Sequence, residues 1–207
     1  AGYKSEVIKD YFLNYSSINS NFTVNLKNGQ LKVHDNCNLD WNVTIVDTGL
    51  NTMTGGRLKR LKSLLSNEEK FLFTYGDGLS DVNIDKLVDF HDKNSKLVTL
   101  TTVHPSARFG ELEIDNNSVK SFKEKPQTKK GWINGGFFVA NTKFIDMIEK
   151  DETILESEPL ENAAKSGQLN AFKHEGFWQC MDNIRDKQFL EELYFSKKYP
   201  WKLLNND

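Results

Sequence analysis

The stretch FLFTYGDG (residues 71–78) is the part of the sequence from which the fold is most readily predicted. Residues 71–75 form a short apolar and aromatic run, which is typical of a buried strand in a parallel sheet. The run ends in a Gly-Asp-Gly turn that holds Asp77 between two glycines. Because ligands of open α/β sheets bind at the carboxyl ends of strands, this turn is a candidate site. The alternative is a structural turn in which Asp77 bonds its own backbone.

Strands and helices are predicted to alternate on both sides of this stretch. Further strands are predicted at residues 43–46, 97–103, 132–140 and 169–172, and helices at residues 7–12, 54–65, 84–91, 143–149, 160–166 and from 182 onward. Asn28-Gly29 and Asn116-Asn117 each lie between two short strand patterns, which predicts two hairpins. This order predicts an α/β fold: a Rossmann-like, mostly parallel mixed sheet with helices on both faces and a small inserted β-hairpin region. Residues 1–207 are predicted to form a single domain.

The composition excludes several classes of protein. Hydrophobic residues make up 38% of the chain, aromatic residues 12% and charged residues 27%, a mixture too apolar for a disordered protein. A net charge of −2 leaves no broad basic surface, so nucleic acid is not an expected partner. No apolar run approaches the roughly 20 residues of a membrane span, and no secretory signal opens the chain, so we expect no membrane partner and a cytoplasmic location. Cys37 and Cys180 lie far apart in the sequence, which argues against a disulfide framework.

A second candidate site lies in the segment TMTGGRLKR (residues 52–60). Small residues at the start of a helix expose backbone N–H groups to an anion, and Arg57 adds donors suited to phosphate oxygens. The alternative, and by itself the favoured one, is a capped amphipathic helix with a solvated basic face. Lys59 and Arg60 are assigned to that face.

Two more segments contain charged residues next to predicted strands. Glu124-Lys125-Pro126 could bind a sugar hydroxyl and a phosphate, although such a pair is more often a surface ion pair. Asp182 follows the segment FWQCM (residues 177–181) and could cap the last helix, bind a metal, or do both. Two separated aspartates suit Mg²⁺, which usually takes one or two protein carboxylates together with substrate phosphates.

Taken together and in this order, these segments resemble the sugar-1-phosphate nucleotidylyltransferase family. The resemblance spans essentially the whole chain and is carried by residues 2–4, 41–44, 46–49, 53–60, 73–78, 108–110, 124–126, 133–138, 176–179 and 181–182. It implies a Mg²⁺-dependent enzyme that joins a nucleoside triphosphate to a sugar 1-phosphate and releases pyrophosphate. Within the family the chain is most similar to members that use CTP and glucose 1-phosphate to make CDP-glucose, a precursor of deoxysugars and O antigen. The family also implies a homo-oligomer.

The resemblance assigns roles to the nucleotide side of the site. Asp77 and Asp182 would hold Mg²⁺, and Arg57, Gly76 and Thr52 would line the nucleotide site. Asp77, Asp182 and Arg57 would be catalytic, together with Lys125. No protein nucleophile is needed, because the phosphate of the sugar substrate is already anionic.

The sugar side of the site is assigned in the same way. Glu124 would hold sugar hydroxyls, Lys125 would hold the sugar phosphate, and Gly135 would let the hexose lie against the backbone. Trp178 is expected to be a packing residue beside the site.

The sequence departs from the family pattern before Ala1. The family begins with a strand and a Gly-rich loop that grips the triphosphate, and neither is found here, so the domain is expected to be N-terminally incomplete and this chain alone to turn over poorly. Two readings from other classes stay open: a catalytically silent structural or regulatory subunit, and a metal-dependent glycosyltransferase. The joint presence of Asp77, Asp182, Glu124 and Lys125 favours nucleotidyl transfer over both.

Overall fold

The computed structural model describes residues 1–34, 39–105, 111–116, 118–123 and 131–201, with backbone alone at 111–115, 122 and 123. The helices are α1 Ser5–Leu13, α2 Tyr15–Ile18, α3 Thr54–Arg60, α4 Lys62–Leu65, α5 Ile84–Asn94, α6 Glu158–Lys165 and α7 Ile184–Phe195, and a 3₁₀ helix covers Thr142–Met147. The strands are β1 Phe22–Asn25, β2 Gln30–Val33, β3 Lys70–Phe73, β4 Gly78–Ser80, β5 Val98–Val103, β6 Glu111–Asp115, β7 Ser118–Lys123, β8 Ile133–Asn141, β9 Leu169–Lys173 and β10 Trp178–Cys180.

A four-stranded mixed sheet with the order β3-β8-β5-β9 forms the centre of the fold. Strand β8 is antiparallel to both β3 and β5, and β9 is parallel to β5, so β3, β5 and β9 run in one direction. The predicted mixed α/β sheet is therefore confirmed. One detail of the prediction is wrong, because β3 pairs with the reversed strand β8 instead of a parallel neighbour.

Helices cover both faces of this sheet, as alternate residues of β5 show. Val98 and Leu100 belong to the main apolar cluster, which also contains Leu58 of α3 and Leu160 of α6. Thr99 faces the other way, where its hydroxyl lies 2.9 Å from Nδ1 of His91 on α5. The period of two residues along a strand thus assigns α3 and α6 to one face and α5 to the other.

The glycines of β8 interrupt its pairing with β5. The register passes from Leu100↔Phe138 to Thr102↔Asn134, so residues 135–137 of β8 lie opposite one residue of β5. Gly136 has a φ of 86°, a left-handed conformation that glycine adopts without strain. Bulges of this kind are common beside active sites, where they redirect neighbouring side chains.

Small antiparallel ladders lie outside the central sheet. The pair β1–β2 and the pair β6–β7 confirm the two predicted hairpins. A third ladder pairs β4 with β10 and was not predicted from the sequence. It joins the segment after β3 to the segment before α7.

Residues 43–46, predicted to form a strand, are irregular in the structure. A strand requires a neighbouring strand as hydrogen-bond partner, and the nearby backbone bonds join Val46 and Thr48 to the single residue Ala1. The segment at residues 143–149 was predicted as a helix and is a short 3₁₀ helix, Thr142–Met147. None of the helices in the described ranges combines the length and the apolar character needed to cross a membrane.

The buried His91 makes the stability of the fold depend on pH. Burial, with a smaller contribution from Lys70, holds the pKa of His91 below its ordinary value, while Asp92 acts in the opposite direction. The unfolded chain then binds a proton below about pH 6.5 that the folded chain resists. We expect the urea midpoint of unfolding to fall between pH 7.5 and pH 5, and the fall to be smaller in His91→Gln. In the variant His34→Gln, at an exposed position, the urea midpoint should fall by as much as in the wild type. An equal fall of the urea midpoint in all three proteins would contradict the contribution assigned to His91.

Candidate active site

Asp77 and Asp182 both lie at one end of the ladder between β4 and β10. Gly78 pairs with Cys180, and the backbone N–H of Met181 donates to the carbonyl of Asp77 at 2.8 Å. Antiparallel pairing makes residues that precede one strand neighbours of those that follow the other. The ladder therefore brings the backbone of the two aspartates close together, although they lie 105 positions apart in the sequence. Both side chains are exposed.

The start of α7 fixes the segment that carries Asp182. Asn183 is the N-cap, since its side chain accepts from the backbone N–H of Asp186 at 3.1 Å. The carboxylate of Asp186 in turn accepts from the side chain of Asn183 at 2.7 Å and from the backbone N–H of Asp182 at 3.2 Å. Such reciprocal bonds satisfy backbone donors at a helix start. The predicted capping role of Asp182 is wrong, because Asn183 performs it.

Cys180 lies beside this aspartate and acts as a hydrogen-bond donor. Its thiol donates to Oδ2 of Asp182 at 3.3 Å. Burial, followed by the hydrogen bond to Asp182, raises the pKa of Cys180 to about 11, so the thiol is protonated at neutral pH. Among the described residues, Cys180, Asp182 and Asp186 have potential ligand atoms within 4.8 Å of one another. The potential donors there are the carboxylate oxygens of Asp182 and Asp186 and the thiol of Cys180.

An open cleft of about 1050 Å³ adjoins Asp77. Polar residues from five segments line it together with apolar residues that include some of α1 and α3; the polar ones are Thr44, Thr48, Thr54, Arg57, Thr74, Tyr75, Asp77, Asn134 and Glu156. Gly76 also lines the cleft, and the space around it is open, since a Cβ added there would meet nothing within 4 Å. The structure thus brings three of the predicted residues, Arg57, Gly76 and Asp77, to one cleft.

Arg57 is held by the loop that precedes α3. Its Nη1 donates to Oγ1 of Thr48 at 2.8 Å and to the carbonyl of Gly49 at 2.9 Å, and its Nη2 donates to the carbonyl of Leu50 at 3.3 Å. The guanidinium also lies against Gly2, where an added Cβ would come within 2.2 Å of Nη1. Arg57 therefore holds residues 48–50 in place by hydrogen bonds in this structure. Its predicted role in phosphate binding stays a prediction.

The other predicted residues near α3 have different surroundings. Thr52 is buried, with its hydroxyl packed against Gly49, and does not reach the cleft surface as Thr54 does. Arg60 pairs with Asp151, and Lys59 donates to the carbonyl of Glu149. These contacts agree with the structural role predicted for Lys59 and Arg60.

Gly135 has a packing reason to be glycine. A Cβ there would lie 2.8 Å from Cγ1 of Val103 and 3.1 Å from the carbonyl of Thr101. Its own carbonyl accepts a hydrogen bond from Nε1 of Trp178 at 2.8 Å. Trp178 is thus more than a packing residue, because it ties the ladder β4–β10 to the bulge of β8. Glu124 and Lys125 lie outside the described residues.

Sequence reasoning assigned no role to Tyr75, Asn134 and Glu156, which are bonded to one another in the cleft. The Tyr75 hydroxyl donates to Oε1 of Glu156 at 2.6 Å and accepts from Nδ2 of Asn134 at 3.0 Å. Tyr75 and Asn134 belong to predicted strands, where their polar atoms carried no separate signal. Glu156 is one of several acidic residues in an unremarkable segment, so its sequence context could not have identified it.

Comparisons with known proteins agree with this geometry. The sequence profile of the nucleotidyl transferase family matches residues 13–183. A glucose-1-phosphate cytidylyltransferase of Salmonella typhi is 49% identical over 97% of this chain and 78% of its own length. A probable glucose-1-phosphate cytidylyltransferase of Bacillus subtilis is 35% identical over 98% of this chain and 79% of its own length.

A solved structure shares the fold at lower identity. The crystal structure of HddC from Yersinia pseudotuberculosis has a TM-score of 0.60 and 20% identity, and the match covers 93% of this chain and 76% of that one. The family predicted from the sequence is confirmed. Because the family profile covers most of the chain and close relatives match nearly all of it, the chain belongs to the nucleotidyl transferase family.

Proposed function

We propose that the protein transfers CMP from CTP to α-D-glucose 1-phosphate, giving CDP-glucose and pyrophosphate. The observation that carries the proposal is the ladder β4–β10, which bonds the backbone of Asp77 to that of Met181, the neighbour of Asp182, next to an open cleft that Gly76, Asp77 and Arg57 line. Two relatives support the choice of CTP and glucose. One, at 49% identity, is a glucose-1-phosphate cytidylyltransferase, and the other, at 35% identity, is a probable one.

The donors at the ladder end fit Mg²⁺. Both carboxylates are exposed and Asp77 lines the polar cleft, which leaves room for substrate phosphates, as in the usual binding of this ion by proteins. Carboxylate oxygens are hard donors, so Asp77 and Asp182 favour a hard cation. Held by Asp77 and Asp182, the ion would offset the repulsion between the two polyanionic substrates.

The residues of the chain bind and align the substrates. An oxygen of the sugar phosphate forms a bond to the α-phosphorus of CTP, the bond between the α- and β-phosphates breaks, and pyrophosphate leaves. The attacking oxygen is already anionic, so no general base is required and the protein contributes alignment and electrostatic stabilisation. We assign Arg57 and Gly76 to the nucleotide side, and Glu124, Lys125 and Gly135 to the sugar side, as the resemblance implies.

Pyrophosphate release tests this function. The protein is incubated with Mg²⁺ and glucose 1-phosphate, and CTP, UTP and dTTP are compared in separate reactions. We expect pyrophosphate with CTP, and CDP-glucose in equal amount by chromatography. Release of a nucleoside diphosphate from a nucleotide sugar instead would identify a glycosyltransferase. A silent subunit would be favoured if the folded protein has neither activity, both as this chain and with the family's first strand and Gly-rich loop added.

Gly76→Ala provides a test of the nucleotide side that leaves the fold intact. The added methyl group has open space around it, so we expect an unchanged melting temperature. Because the methyl group projects from a residue that lines the cleft, we expect the KM for CTP to rise about tenfold; tenfold corresponds to about 1.4 kcal/mol of lost binding. Gly78→Ala is the matched control, since its Cβ would make an ordinary contact of 3.8 Å with Trp178. Equal KM values for both variants would contradict the assignment of Gly76.

A further inference from the structure

We propose that Glu156 is a positioning residue, which acts through Tyr75 to hold the Gly76-Asp77 turn in place at the cleft. The catalytic consequence rests on the proposed function, whereas the contact itself can be tested without it. Glu156 lies between the 3₁₀ helix and α6, about 80 residues from Tyr75 along the chain. It is exposed to the cleft, so the fold does not need it to fill space.

The side chain of Tyr75 holds the segment that leads to Asp77 against the central sheet. Strand β3 ends at Phe73, so residues 74–77 have lost their pairing with β8. The ring of Tyr75 packs edge-on against the ring of Phe138, with the centroids 5.7 Å apart. It also occupies the space that a Cβ on residue 136 would need, which is free because this residue is Gly136. The hydroxyl of Tyr75 then determines which way the following turn can point.

The hydroxyl of Tyr75 is held from two sides. Asn134 donates to it at 3.0 Å, and its own Oδ1 accepts from the backbone N–H of Gly136 at 2.9 Å, which fixes the orientation of the amide. The hydroxyl donates to Glu156 at 2.6 Å, a length typical of a strong bond to a charged acceptor. Burial, followed by the hydrogen bond to Glu156, raises the pKa of Tyr75 above its ordinary value, so this group is a donor at neutral pH.

Glu156 also connects to the opposite wall of the cleft. Its Oε2 accepts from the hydroxyl of Thr54, the first residue of α3, at 2.8 Å. That hydroxyl accepts from the backbone N–H of Leu155 at 2.9 Å, which completes a closed set of bonds around Glu156. One carboxylate therefore links the helix that carries Arg57 to the turn that carries Asp77.

A positioning role predicts a particular kinetic signature. Loss of Glu156 should leave both substrates able to bind but should misplace Asp77 in the transition state. We expect Glu156→Ala to lower kcat roughly tenfold with little change in either KM, the pattern of an interaction used in the transition state. Glu156→Gln retains an acceptor for the Tyr75 hydroxyl and should recover part of the loss. Tyr75→Phe should lower kcat to a similar extent.

The test combines steady-state kinetics with amide hydrogen exchange. We expect faster exchange in peptides that cover residues 74–78 for Glu156→Ala and Tyr75→Phe, and wild-type exchange for the matched control Glu158→Gln, at an exposed position in the first turn of α6. The double variant should lose no more kcat than either single variant, because both remove one shared interaction. Exchange is measured without substrate, so absence of cytidylyl transfer in the wild type would overturn the proposed function alone.

Two outcomes would overturn the positioning role. A rise in the KM for glucose 1-phosphate at constant kcat would identify Glu156 as a direct ligand of the sugar. Wild-type kcat and exchange in Glu156→Ala would show that the contact has no effect on the turn.

Discussion

Asp77→Asn is expected to lower kcat about a thousandfold while the protein stays folded. The carboxylate is exposed, and the ladder contact that positions it uses its backbone carbonyl, which the substitution keeps. Asparagine has the same shape without the charge needed to bind a cation beside the reacting phosphates. Charge stabilisation of this kind is worth several kcal/mol, and each 1.36 kcal/mol is a factor of ten in rate. Pyrophosphate release with CTP and glucose 1-phosphate measures the effect.

The same chemical change elsewhere provides the control. Asp89→Asn alters an exposed aspartate on α5 and should keep wild-type kcat. Circular dichroism and the urea midpoint should agree among the three proteins. An Asp77→Asn protein with more than a tenth of wild-type kcat would contradict the proposed metal site.

Phe138→Ala is expected to lower the free energy of unfolding by about 3–5 kcal/mol, the usual cost of such a cavity. Phe138 is 1% exposed and lies at the centre of the main apolar cluster. Its ring stacks on that of Phe73 with the centroids 4.3 Å apart and meets the ring of Tyr75 edge-on at 5.7 Å, so the substitution leaves a cavity in the apolar cluster on this face of the sheet. For a chain of this size the loss corresponds to a fall in Tm of about 10 °C.

Phe195→Ala is the matched control for this substitution. Phe195 is 77% exposed at the end of α7, so its removal should change the urea midpoint little. Equal destabilisation by the two variants would show that burial of Phe138 in the sheet is not what stabilises this region.

Local sequence patterns predicted most of the secondary structure correctly. The helix from Thr54 and strands β5, β8 and β9 were predictable because apolar residues recur with the period of the element that buries them. The same reasoning predicted a strand at residues 43–46, because period alone cannot show whether a partner strand is available. It also missed the reversed neighbour of β3, because the direction of pairing depends on topology and not on local composition.

The residues of the candidate site were also only partly predictable from the sequence. Asp77 was identifiable because glycines flank it at the end of an apolar run, and Asp182 and Arg57 gained their roles through family resemblance. Asn183 instead of Asp182 caps α7, a choice between adjacent polar residues that only backbone geometry settles. Glu156 had no local signal at all.

By itself, the sequence determined the α/β class, the positions of most elements and the family, since these follow from residue periodicity and from motifs that are contiguous in the chain. Only the tertiary structure decided that Gly78 pairs with Cys180, and that Glu156 bonds both Tyr75 and Thr54. These contacts join residues 81 to 102 positions apart, and the hydrogen bonds that form them are short-ranged and directional. Their existence therefore depends on how the sheet and its helices pack, which no local pattern specifies.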